Sequence, residues 1–212
     1  MKIPQLSTRS VKTTPSAMRF RYSVLAFAMI GTFWPSPVLA QEEHSHSPAA
    51  EEHEQTSSEG YRAGLLLKKV REATERFKDV SVAEAEGYTL QFGCVSGDYS
   101  AAMGLHYVNG DLVNRGDLNV NRPQIVIYEP LPNGGRRLIG ADYLLLADAW
   151  NANHSSPPQL MGQLFHLFEK PNRFGLPAFY TLHVWAWKEN PQGAFVNWHP
   201  HVSCEHFAAQ TP

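Results

Sequence analysis

Two histidines set in apolar, strand-like runs are the residues of this 212-residue chain best suited to chemistry. His106 lies in Ala102-Met-Gly-Leu-His-Tyr-Val-Asn109, and His183 in Ala178-Phe-Tyr-Thr-Leu-His-Val-Trp-Ala-Trp187. Strand alternation puts Phe179, Thr181, His183, Trp185 and Trp187 on one face, and Tyr180, Leu182, Val184 and Ala186 on the other. His106 shares its face with Ala102 and Gly104, whose small size leaves room beside the ring. Two imidazoles facing one cavity from neighbouring strands, joined by a carboxylate, form a common donor set for a divalent metal such as Zn, Cu, Ni or Mn. Glu129 and Asp142 are the candidate acids, because each stands alone in an apolar strand.

Asn133-Gly134 predicts a two-residue type I′ turn between those two strands. That register pairs Glu129 with Leu138 and Ile125 with Asp142. The two acids then share a face about 13 Å apart, at roughly 3.3 Å per residue, so only one joins a given site unless a bulge shifts the register. Tyr107, Phe179, Trp185 and Trp187 are candidate pocket walls for a small organic ligand. A metal-free isomerase or lyase with His183 as general base is a further reading. The competing readings are that both histidines are neutral, hydrogen-bonded core residues, or that the chain is a structural interaction protein.

Other histidine clusters are less specific. His199-Pro200-His201 is an i, i+2 pair that faces one way if extended, with Cys204 and His206 close behind. Pro200 confines it to an edge or loop, and no CxxC or HExxH spacing accompanies it. His44, His46 and His53 lie in residues 41–60, an acidic tract that can capture Cu or Zn loosely or act as a solvated linker. His154 sits in an evident loop and His166 in a packed strand. Nucleophile-elbow, P-loop and dinucleotide fingerprints do not occur.

The elements that position these residues begin after residue 60. Residues 1–40 carry Arg19 and Arg21, an apolar run and Val38-Leu39-Ala40, which predicts a cleaved secretory signal peptide and a periplasmic or secreted bacterial protein without a stable membrane anchor. The five basic residues of that leader leave 13 basic and 20 acidic residues in the mature chain. With no basic patch, nucleic acid is excluded as an expected partner; a metal ion or small molecule is the expected one. Residues 41–60 read as a disordered acidic linker, and 61–212 as one globular domain. In an oxidising compartment the two cysteines, Cys94 and Cys204, predict one disulfide across about 110 residues; Cys204 as a metal ligand beside His201 and His206 is the alternative.

Leu66, Val70, Ala73 and Phe77 form one apolar stripe of a helix. A second short helix is expected from the Ser81-x-x-Glu84 capping box, ended at Gly87. Strands are expected at 88–94, 102–108, 124–129, 136–146, 160–168 and 178–187. The fold class is therefore α+β: N-terminal helices packed on a mainly antiparallel, curved sheet or partial barrel.

The motifs Ala102-Met-Gly-Leu-His-Tyr-Val-Asn109, Tyr128-Glu-Pro130, Gly175-Leu-Pro-Ala-Phe-Tyr180 and His183-Val-Trp-Ala-Trp187 resemble a family of small exported bacterial proteins with no established function. The resemblance spans about residues 88–204. It implies bacterial export and a single domain. It also implies that Asn is frequent at the position of His199, which favours His106 and His183 as the functional pair.

Overall fold

The computed structural model of the chain describes residues 48–97 and 101–207, all within one compact unit, Ser45–Pro212. The expected leader, and His44 and His46 of the acidic tract, lie outside the described residues. Helix α1 spans Pro48–Thr74 and continues as a 3-10 turn, Glu75–Lys78. The backbone of residues 48–60, expected as linker, is thus helical. Pro48 stands in the first turn, where its missing N–H costs nothing. Ala, Glu and Gln, strong helix formers, supply most of residues 49–55, and no Gly or Pro intervenes before Gly60.

Leu66, Val70, Ala73 and Phe77 are buried along one side, as the stripe requires. Burying each large apolar side chain contributes about 1.5–3 kcal/mol. Helix α2, Val80–Ala85, is capped by Asp79, whose carboxylate accepts from the Ser81 N–H at 3.0 Å. The expected box began two residues late, at Ser81, because the stronger aspartate acceptor precedes it.

Six strands then form one antiparallel sheet. They are β1 (Tyr88–Ser96), β2 (Ala102–Asn109), β3 (Ile125–Pro130), β4 (Arg136–Leu146), β7 (His166–Phe168) and β8 (Phe179–Val184), in the order β1-β2-β3-β4-β8-β7. The sheet is curved and does not close into a barrel. Two short helices, α3 (Gly110–Arg115) and α4 (Ala147–Asn151), follow β2 and β4. The single strand expected at 160–168 is instead a two-stranded ribbon, β5 (Gln159–Leu160) and β6 (Gln163–Leu164), followed by β7. The turn at Met161-Gly162, with positive φ at both residues, folds that run back on itself.

Period-two alternation divides the sheet's side chains between two cores. Toward the helices, Leu66 and Val70 pack with Tyr143, Leu145, Leu182 and Val184, and Phe77 and Ala83 pack with Tyr88, Leu105, Tyr107 and Tyr128. The opposite face holds Ile125, Ile127, Leu144, Phe179 and Trp185 under Val202. The two cysteines are joined as expected, Cys94 to Cys204 at 2.04 Å, tying the C-terminal segment to β1. Among the described residues no helix is long and apolar enough to cross a membrane.

Candidate metal centre

Three adjacent irregularities of the sheet set up the site. The β3–β4 loop is a three-residue turn, with Leu131 O accepting from Gly134 N–H at 3.0 Å. Of Asn133 and Gly134 only the glycine takes positive φ, at 76°, which replaces the expected type I′ geometry with a type I turn plus bulge. A further bulge between Ile127 and Tyr128 absorbs one residue: Ile125 pairs with Asp142 as expected, but Glu129 pairs with Arg137. On β2, Gly104 adopts φ 88°, and a Cβ there would lie 2.5 Å from the Tyr128 carbonyl oxygen. Only glycine permits that approach. The kink also resets the alternation, so Met103 and His106 reach the same cavity although their numbers differ in parity.

His106 of β2, Asp142 of β4 and His183 of β8 all reach that cavity and are all buried. Asp142 and His183 are register partners. His106 lies on a strand separated from β8 by β3 and β4, not on a neighbouring one as expected. Three intervals of about 4.8 Å would hold the backbones about 14 Å apart on a flat sheet. The two Nε2 atoms are nevertheless 3.4 Å apart, because the sheet curls around this face.

The hydrogen bonds constrain what the rings present. His106 Nδ1 lies 3.2 Å from the Gly104 carbonyl oxygen. A carbonyl only accepts, so neutral His106 carries its proton on Nδ1 and turns the Nε2 lone pair toward His183. The 3.4 Å gap exceeds the ordinary hydrogen-bond range of about 2.7–3.2 Å. It equals the span of two metal–nitrogen bonds of about 2.1 Å meeting near the tetrahedral angle. Asp142 Oδ1 accepts from Thr181 Oγ1 at 2.5 Å and sits 3.8 Å from His183 Nδ1. That Nδ1 is buried and makes no hydrogen bond of ordinary geometry, although the Asn197 side chain is near enough to favour the protonated ring slightly. One nitrogen of each histidine and one Asp142 oxygen lie within 4.8 Å of one another, so the three groups could hold a metal ion.

Electrostatics points the same way. Burial lowers His106 to about 4, assisted by the neighbouring His183, and lowers His183 to about 3. Burial raises Asp142 to about 6 against the Thr181 hydrogen bond. At neutral pH both imidazoles are therefore uncharged and Asp142 is ionised. Among the described residues no Lys or Arg lines the cavity, so a buried carboxylate faces two neutral rings without a cation from them. Such a charge is costly unless a counter-charge joins it.

Around this polar floor the walls are hydrocarbon. Phe168, Phe174, Phe179, Leu144 and Leu176 line them, with Phe92 at the rim. The enclosed space is small, about 30 Å³ for the centres of water-sized molecules. Phe92, 48% exposed and in the left-handed region at φ 64°, sits in a bulge of β1 between Gln91 and Cys94 and meets Phe174 edge-on at 5.4 Å.

The other candidates fall elsewhere. Glu129 is outside the cavity, held by Lys188 at 2.7 Å, by Arg137 and by the Ser203 N–H. Burial pushes its carboxyl up, but the bonds from Lys188 and Arg137 outweigh this and hold it below the usual range. Phe179 lines the cavity; Tyr107, Trp185 and Trp187 do not. Tyr107 packs in the helix-side core. Strand β8 stops at Val184, three residues before the expected end. Beyond it Trp185 donates to Val196 O, and Trp187 crosses to the helix side, where its Nε1 donates to Thr74 Oγ1 at 2.9 Å.

His199 has both ring nitrogens engaged: Nε2 at 3.0 Å from Glu189 O, and Nδ1 accepting from His201 N–H. Cys204 is bonded to Cys94, and among the described residues no group that could hold a metal ion forms at 199–206. His166 is exposed on edge strand β7, and His154 stacks on Trp150 at 3.7 Å.

Sequence reasoning missed Thr181, Met103, Phe92 and Phe174 as site residues. Thr181 could have been found, since it stands two positions before His183 on the same face. The others arrive through bulges and a loop, which leave no periodic trace. Comparison with protein-family models, with curated proteins and with solved structures finds no match.

Proposed function

We propose that this chain is an exported small domain that binds one divalent transition metal through His106, His183 and Asp142, leaving at least one coordination position open to the aromatic cavity. The observation that carries this reading is the 3.4 Å separation of the two Nε2 atoms with the His106 proton pinned on the Gly104 carbonyl. Backbone anchoring of the second ring nitrogen is the usual support of a metal-ligating histidine. Two imidazoles and a carboxylate suit Zn, Cu, Ni or Mn. A metal-free His183 general base is less well supported, since burial holds that ring near 3 and makes it a weak proton acceptor at neutral pH. The Cys94–Cys204 bridge fits an oxidising compartment.

The test is to export the protein in a bacterial host, purify it without chelators and count bound metal by mass spectrometry. Wild type should carry close to one equivalent, and His106→Ala and His183→Ala should carry little. A metal-free wild type whose melting temperature ignores added Zn, Cu, Ni and Mn would sink the proposal.

A further inference from the structure

Charge and wall chemistry together restrict what can occupy the open position of this centre. We infer that the exchangeable ligand or substrate is an organic monoanion: one carboxylate or thiolate head on an uncharged hydrocarbon body. The inference rests on the metal reading above.

A divalent ion with ionised Asp142 and two neutral imidazoles leaves one net positive charge in a buried site. Among the described residues no Lys or Arg lines the cavity to balance a second negative charge. Arg173 lies over the Phe174 ring at 6.0 Å but does not line the cavity. In a low-dielectric setting the neutral assembly wins, so one anionic donor is favoured over a dianion, and an ammonium ligand is disfavoured.

Beyond the head, a ligand meets Phe168, Phe174, Phe179 and Leu176. Phe168 and Phe179 stack on each other at 5.1 Å and form a flat wall. The hydroxyl of Thr181 is already committed to Asp142. Apart from the metal, such walls offer a ligand body nothing but hydrocarbon contact, which selects bodies without polar groups. Phe92, half exposed and held in a backbone conformation that bulky residues rarely adopt, stands at the entrance. That placement assigns it a part in selecting the ligand's body.

The test uses the full mature chain loaded with Co²⁺, whose visible absorption reports on coordination. Phenylacetate, acetate, phthalate and phenethylamine are titrated in turn. Phenylacetate should change the spectrum and bind at least about tenfold more tightly than acetate, because its ring is buried against the walls. Phthalate and phenethylamine should bind at least about tenfold more weakly than phenylacetate. Phe179→Ala should shrink the preference for phenylacetate over acetate. Phe92→Ala, at an exposed position that does not support the core, should shrink it in the same direction.

A chain that takes up no Co²⁺ overturns the metal reading and this inference with it. A Co²⁺-loaded chain whose spectrum ignores phenylacetate, or that binds acetate or phthalate equally well, overturns the ligand assignment alone.

Discussion

Acidifying the metal-free protein should destabilise it through the buried histidines, and the size of the loss follows from the cavity. His106 has an ordinary pKa near 6.5 when unfolded and about 4 when folded; His183 falls to about 3. Below pH 6.5 the unfolded chain takes up protons that the folded chain refuses. Stability from these rings is therefore fully present above about 6.5 and lost as pH falls toward 4 and 3. At about 1.36 kcal/mol per unit of pH, each ring loses about 2 kcal/mol between roughly pH 7 and pH 5.

Asp142 works in the opposite sense. Its folded pKa of about 6 lies above the unfolded value of 3.8. Protonating it in the fold returns about 1 kcal/mol over the same interval. The net loss from the three groups is about 2–3 kcal/mol. Urea unfolding in excess chelator at several pH values measures it directly. His106→Gln should flatten the pH dependence by about 2 kcal/mol over that interval, whatever its effect on stability at pH 7. A wild-type stability that is level or rising on acidification, or a His106→Gln profile parallel to wild type, refutes the assignment of this ring as buried and neutral.

Thr181→Val removes the donor to Asp142 Oδ1 and should cost about 1.5–3 kcal/mol near neutral pH, with a smaller penalty once Asp142 is protonated; urea titrations at two pH values check both. Gly104→Ala drives a Cβ against the Tyr128 carbonyl at positive φ and should cost more than about 2 kcal/mol; an unchanged melting temperature would contradict the close approach. Cys94→Ser with Cys204→Ser opens a loop of 110 residues and should lower stability by up to about 4–5 kcal/mol, with added reductant reproducing the loss in wild type. Glu129→Gln breaks the Lys188 and Arg137 pairs and should lower the melting temperature while leaving bound metal per chain, by mass spectrometry, at the wild-type value.

Part of the polar floor was legible: Thr181 beside His183 follows from period two alone, whereas Asp142 stands opposite Ile125 as expected only because the longer turn and the bulge at Ile127/Tyr128 offset each other. What alternation could not supply was convergence. His106 meets His183 across two intervening strands, and sheet curvature is a sum of bulges that carry no fixed sequence code. The kink at Gly104 changes which β2 residues face the cavity, and the glycine looked merely small. Glu129 resembled Asp142 as an isolated acid in an apolar strand. Its partners Lys188 and Ser203 lie more than fifty residues away, and only the tertiary fold brings them to it. Trp187 was misplaced because β8 ends at Val184 and strand periodicity says nothing past the last ladder bond.

The bulge at Phe92 also bears on how the protein behaves in a crowded solution. Strand β1 is one rim of the six-stranded sheet, and a straight rim offers unpaired N–H and C=O groups to any passing chain. Here the ladder to β2 is broken between Gln91 and Cys94, where Phe92 and Gly93 both turn into the left-handed region, and the Cys94–Cys204 bridge anchors the strand just beyond. The opposite rim, β7, is three residues long. The kink limits the unbroken ladder of β1 to Tyr88–Gln91, so the same bulge that brings an aromatic ring to the cavity mouth also shortens the regular rim that a second copy could dock on.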